Sequence, residues 1–337
     1  MEGNGLLVAT GQNEDGKAVM AISGDGQTWE AVDMSATGEP AAFYSVVPGE
    51  ASFIAVATRF PVLMGMPESQ YLYSTDGRTW AEAQPPADCV SAGIVPRGSG
   101  FLAIGDRCRT EADFAPGTLH IMESADGRAW TSRQDEALHP GPWATNGDRI
   151  VMLHAPGDEP GAVLIDVQIS DDGARSWRQV PSPFPEEFHP NGIFLYGHGQ
   201  YVAAGSQSSG TDNPSSAVCA SGDGEAWACE PIDELDGDLE GRNWLARSVA
   251  VTPTGFASLV EYVNDPYFGG DGSTDMVQAT STDGLTWTFT LVPEMKDRLP
   301  SGIASTSHGL YSWGGLNRDI TPDEWVPYLV VRDGTLP

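Results

Sequence analysis

The densest chemistry in this 337-residue sequence is a run of acids, Asp233-Glu234-Leu235-Asp236-Gly237-Asp238-Leu239-Glu240. Hard oxygen ligands packed this closely suit Ca2+, with Asp233, Asp236, Asp238 and Glu240 as the ligand set. The spacing is not that of an EF-hand loop, and the same run also reads as a solvated acidic loop. Asn264, Asp265, Asp271 and Asp275 form a second, sparser oxygen cluster. A second class of chemistry is aromatic. Trp143, Trp244, Tyr267, Phe268 and Trp325 are rings that would stack on a sugar, while neighbouring carboxylates accept its hydroxyl hydrogen bonds. Packing of those rings within their own loops is the alternative. His139 and His189 each precede a proline, and His198 and His308 sit in turn-like sequence. No two histidines have metal-ligand spacing, and no nucleophile–base set stands out.

The elements that must position these groups are set by a repeat. Ser23-Gly24-Asp25-Gly26-Gln27-Thr28-Trp29 recurs in closely similar form at 74–80, 124–130, 170–177, 221–227 and 281–287. Each copy keeps an aspartate, namely Asp25, Asp76, Asp126, Asp172, Asp223 and Asp283, and the fourth copy carries one extra residue. A period near fifty residues, built from β-type sequence, is the signature of a radial array of small sheets. Asp-Gly between strands marks a hairpin because glycine accepts positive φ. The aspartate accepts backbone N–H groups in such a turn. The tryptophan then serves as an apolar plug.

Each repeat reads as four strands. The first lacks an innermost strand, and a last unit after the sixth copy stops at Asp333-Gly334, where its own copy belongs. The expectation is an all-β, seven-bladed β-propeller of four-stranded antiparallel blades, with a six-bladed ring as the alternative, and residues 1–337 as a single domain. Ligand contacts are expected on the end that carries the connections between second and third strands and between blades. These connections are long and differ from one another.

The six copies resemble the Asp-box, or bacterial neuraminidase repeat. This repeat is found in sialidases, xyloglucan hydrolases, sortilin-type receptors and photosystem II assembly factors. The resemblance implies a propeller in which the box joins the third and fourth strands of a blade, on the rim and away from the active centre. Sialidases also clamp their substrate with three arginines, the first in Arg-Ile-Pro, and use a Tyr/Glu pair and an aspartate. No Arg-Ile-Pro occurs here. Arg59, Arg107, Arg242, Arg247 and Arg318 are the arginines placed to approach the loop end, with nothing in the sequence to join three of them.

Composition narrows the partners. The formal charge of −30 disfavours nucleic acid and anionic membrane. No apolar run is long enough to span a bilayer, and no signal peptide opens the sequence. The four cysteines are placed to pair, with four buried free thiols as the alternative: Cys219 and Cys229 straddle the fifth box, while Cys89 and Cys108 straddle a predicted hairpin turn. Facing residues of an antiparallel hairpin lie within disulfide reach. Two bridges, Cys89–Cys108 and Cys219–Cys229, imply an oxidising compartment and hence a secreted or surface-anchored protein. The expected function is a monomeric, non-catalytic propeller that binds a glycan or protein through its loop end. No cofactor is expected beyond structural Ca2+. A glycoside hydrolase, sialidase-like or polysaccharide-cleaving, is the alternative, and an assembly or scaffolding factor is a further one.

Overall fold

The computed structural model describes residues 2–12, 17–38, 40–59, 68–84, 89–108, 119–135, 141–154, 166–185, 188–207, 215–231, 244–263, 274–292, 298–307, 309–316 and 327–332. Their regular structure is strand throughout, apart from one 3-10 turn at Ser35–Thr37. The chain divides into two compact units, Met1–Pro140 with Thr306–His308, and Gly141–Ser305 with Gly309–Pro337.

The first unit holds three antiparallel sheets, each with its strands in chain order. Blade one is β1 (Glu2–Gly3), β2 (Leu6–Gln12), β3 (Ala18–Ser23) and β4 (Glu30–Ala31). Blade two is β5 (Ala42–Pro48), β6 (Phe53–Arg59), β7 (Glu68–Ser74) and β8 (Ala81–Glu82). Blade three is β9 (Cys89–Arg97), β10 (Gly100–Cys108), β11 (Leu119–Ser124) and β12 (Thr131–Asp135).

The second unit repeats the plan. Blade four is β13 (Trp143–Thr145), β14 (Ile150–His154), β15 (Asp166–Ser170) and β16 (Arg178–Val180). Blade five is β17 (Phe188–Gly197), β18 (Gln200–Gln207), β19 (Ser215–Ser221) and β20 (Ala228–Pro231). Blade six is β21 (Trp244–Thr252), β22 (Gly255–Val263), β23 (Thr274–Ser281) and β24 (Thr288–Leu291). A last sheet has three strands, β25 (Arg298–Thr306), β26 (Gly309–Leu316) and β27 (Pro327–Arg332).

Among the described residues four-stranded blades therefore number six, the count of the six-bladed alternative, and the expectation of seven such blades is corrected. The last sheet falls short because no described residue adds a fourth strand to β27. Blade one is also fuller than expected. Glu2–Gly3 turns through Asn4 (φ 52°) and Gly5 (φ 72°) to pair with Leu6 and Leu7, which supplies the innermost strand. In the same unit the Glu2 carboxylate accepts hydrogen bonds from the Ser307 backbone N–H and hydroxyl, at 2.5 Å each.

The core lies between successive sheets, and strand periodicity shows why. β6 is buried on both faces, with all residues from Phe53 to Thr58 inaccessible. Successive side chains of a strand point to opposite faces. Accordingly Phe53, Ala55 and Ala57 pack with Val8, Met20 and Ile22 of blade one, while Ile54 and Val56 pack with Phe101, Ala103 and Met122 of blade three. In the second unit Tyr201 and Ala203 of β18 join Val151, Val167 and Ile169 of blade four, while Val202 faces Phe256 of blade six.

Each repeated turn forms one corner with two acceptor atoms. In the second copy the Ser74 hydroxyl donates to Asp76 Oδ1 (3.0 Å) and accepts the N–H of Gly77 (2.8 Å). Asp76 Oδ1 also accepts the N–H groups of Arg78 and Thr79 at 2.8 and 2.7 Å. The same serine–glycine bond recurs at Gly26, Gly127, Gly224 and Gly284. The indole N–H groups of Trp80, Trp130, Trp227 and Trp287 close the corner onto the glycine carbonyl.

The corner also latches one blade to the one before. A Cβ on Gly127 would fall 2.2 Å from Ile54 Cδ1, one on Gly224 2.4 Å from Val151 Cγ2, and one on Gly284 2.5 Å from Val202 Cγ2. The next residue reaches the same neighbour: Arg78 pairs with Glu30, Arg128 lies 4.8 Å over the Tyr73 ring, and Glu225 pairs with Arg149 (2.7 Å) and Arg178. Glycine is therefore required twice, for its positive φ and for the missing side chain. Gly224→Ala should destabilise by about 2–5 kcal/mol, the left-handed penalty plus overpacking against Val151. Gly98→Ala, at φ 54° with no atom within 4 Å of the added methyl, should cost only about 1–2 kcal/mol. Denaturant melts of the two variants check the difference.

Candidate functional site

The six recurrent aspartates are the most regular titratable groups of the molecule, and Asp25, Asp76, Asp172, Asp223 and Asp283 are held as carboxylates. The N–H groups of Thr28 and Gln27, with the Ser23 hydroxyl, pull Asp25 down to about 2. Asp76 is lowered chiefly by the Thr79 N–H, and Asp223 by those of Ala226 and Glu225. Asp172 is lowered most by the Ser176 hydroxyl. At Asp283 burial opposes the shift, and the N–H groups of Thr286 and Leu285 outweigh it. Hydrogen bonds to the charged form favour it. These five are turn-building acceptors that stay ionised near neutral pH, unsuited to giving up a proton as a general acid.

The loop-end candidates divide between described and undescribed residues. Trp143 opens β13 opposite Met152 and is 8% exposed, so it is packed within its sheet. Trp244 opens β21 opposite Tyr262, and His189 lies near the start of β17 opposite Ser206. Their side chains fall outside the described residues. β13 neighbours β17, and β17 neighbours β21, so the backbones of Trp143, His189 and Trp244 begin adjacent innermost strands. His139, Tyr267, Phe268 and Trp325 lie outside the described residues, as do Asp233, Asp236, Asp238 and Glu240 of the calcium candidate. Among the described residues no group of three or more His, Cys, Asp or Glu is gathered as a metal site. Of the five arginines, Arg242 and Arg318 are undescribed, Arg107 pairs with Val90 in the ladder, and Arg247 is skipped by it.

The cysteines answer the pairing argument in two ways. A disulfide joins Cys219 and Cys229 across β19 and β20, with Cα atoms 4.0 Å apart. Cys89 faces Cys108 in the backbone ladder, although two register shifts intervene. One falls at Ala92 on β9 and the other at Asp106 on β10, so they cancel. The side chains of this second pair lie outside the described residues.

Two features had no place in the sequence reading. At the loop end of blade two the Thr37 carbonyl accepts from both Arg59 Nη2 (3.0 Å) and Gln70 Nε2 (2.6 Å). Arg59 also lies 3.7 Å from the Glu82 carboxylate. The second feature is a recurrent bulge. Counted from the aromatic residues Phe53, Phe101 and Phe256, four rungs pair in order, and then the innermost strand skips one residue: Tyr44, Ala92 and Arg247. β17 is irregular in a different way: three rungs pair from Tyr201, and the ladder then passes from Phe194 to Pro190, leaving 191–193 without a partner. The only written trace was the adjacent pair Phe43-Tyr44, which breaks strand alternation.

No family model and no curated protein matches the chain, but solved structures do. The β-propeller domain of the Trilobed protease from Pyrococcus furiosus is 10% identical with a TM-score of 0.57, covering 96% of this chain and 88% of that one. A structure of YCF48 bound to D1 peptide is 16% identical with a TM-score of 0.57, covering 100% of this chain and 98% of that one. The subtype N11 neuraminidase-like protein of A/flat-faced bat/Peru is 10% identical with a TM-score of 0.51, covering 87% of each chain. The chain spans about half the length, 50%, of the acylaminoacyl peptidase of Pyrococcus horikoshii, which it also resembles in fold. The fold is that of a β-propeller with four-stranded antiparallel blades, and a neuraminidase-like protein is among its structural neighbours.

Proposed function

We propose that this chain is a non-catalytic Asp-box propeller that recognises a segment of another protein through the loop end of its blades. The observation that carries this reading is the use of the repeated carboxylates. Each is engaged by its own turn, so the most conspicuous acids of the sequence build scaffold, and the uneven connections are left for recognition. The likeness to a peptide-bound propeller that this chain matches over 98% of its length supports a protein ligand. Among the described residues no helix is long and apolar enough to cross a membrane, which leaves strands aside. The Cys219–Cys229 bridge supports folding in an oxidising compartment, and with it an exported protein.

Three measurements test this reading. Immobilised full-length chain should capture peptides from a displayed library while leaving fluorogenic sialosides and neutral or acidic polysaccharides intact. Turnover of any of them would replace the binder with a glycoside hydrolase. Mass spectrometry without reductant should find both Cys89–Cys108 and Cys219–Cys229 in protein from its secreting host, and four free thiols would defeat the exported reading. The turns also set an acid limit. Asp25 has a folded pKa of about 2, below the ordinary carboxylate value, so its contribution is complete above about pH 4 and is lost as pH falls towards about 2. Thermal melts across that window should slope less steeply for Asp25→Asn than for the wild type.

A further inference from the structure

The bulges of β5, β9 and β21 each follow four rungs of their own ladder, and we propose that Tyr44 at the first of them grips an arginine or lysine of an extended partner segment. The inference rests on the protein-segment reading and names a contact for it within the first unit. Tyr44 is 66% exposed, although it lies in the middle of an innermost strand whose neighbour β6 is buried almost throughout. The ladder explains this exposure. Phe43 pairs with Ala57 and Ser45 with Val56, and Tyr44 is left between them with no partner on β6. Phe43 packs into the core against Val46 and Phe53, while the ring beside it is turned out. Bulges of this kind re-aim a side chain and free its peptide group from the sheet.

Comparison of the blades separates scaffold from recognition. The first or second residue of each of these second strands is a buried aromatic: Phe53, Phe101, Tyr201 and Phe256 are exposed by 2% or less. At the bulge the residue type changes from blade to blade, as Tyr44, Ala92, the segment 191–193 and Arg247. A constant rung below a varied one is what a fixed frame with an adaptable contact level requires.

The chemistry of Tyr44 then selects the partner. A phenol face attracts a guanidinium or ammonium through its quadrupole, and the molecule already makes one such pair in Arg128 over Tyr73. Against 17 basic residues the chain carries 47 acids, so its field draws in a basic segment and repels an acidic one.

The experiment presents a displayed library of random dodecapeptides to the full chain and titrates the enriched sequences by fluorescence anisotropy. Arginine or lysine should be enriched, and replacing that residue with citrulline or norleucine should weaken binding by about tenfold. Tyr44→Ala should weaken it by about as much, while Tyr44→Phe, which keeps the ring, should stay within about twofold. Val19→Ala alters another exposed side chain of the unit and should change nothing. Enriched peptides that bind Tyr44→Ala as tightly as wild type, or that are acidic, would overturn the assignment and leave the protein-segment reading standing. A library that yields no binder overturns both.

Discussion

The fold depends on a serine hydroxyl and an aspartate oxygen sharing the backbone N–H groups of one tight turn. That corner fixes a glycine at positive φ, and the same glycine is where the turn meets the preceding sheet without a side chain between them. Ile54, Val151 and Val202 each occupy the space that a methyl group would take. Polar satisfaction within a turn and apolar packing between blades are therefore one constraint at the third, fifth and sixth copies. The tryptophans complete it to different degrees. Trp80 and Trp130 are buried, while Trp227 and Trp287 are half-buried and join the clusters between blades.

Most of the architecture was legible because it is periodic in the sequence. The strands around Phe53, Phe101, Tyr201 and Phe256 follow from the two-residue alternation of apolar side chains and from the Asp-Gly turns. The blade count was not, because the last sheet begins like the others and only its missing fourth strand tells it apart. The innermost strand of blade one was missed for a related reason. Two residues are too few to show alternation, and only the Asn4-Gly5 turn betrays them. The Cys89–Cys108 register was foreseen from a midpoint, and it survives because two opposed bulges restore it.

The candidate site was less legible. Loop aromatics such as Tyr267 and Trp325 can be named from the sequence, but their setting lies outside the described residues. Trp143 illustrates the limit of residue type as a guide. It opens an innermost strand as expected, yet it is packed within the sheet. Tyr44 is the converse, a strand residue turned outward by a register slip that no composition rule reveals. Acidity is also distributed by role. Glu225 of blade five meets Arg149 and Arg178 of blade four, Asp171 meets the same two arginines within blade four, and the recurrent aspartates meet backbone.

The fourth corner shows what the arrangement tolerates. Its additional residue places Ala174 at φ 69° beside Gly173 at 71°. The Ser170 hydroxyl then accepts from the Ala174 N–H, and Asp172 still accepts from Arg175 and Ser176. The forfeit is the indole of Trp177, whose buried N–H finds no acceptor among the described residues. A one-codon indel at this spot is thus absorbed at the cost of a single hydrogen bond. The pairing of β15 with β16 continues past the longer turn, from Ile169 and Arg178 to Val167 and Val180.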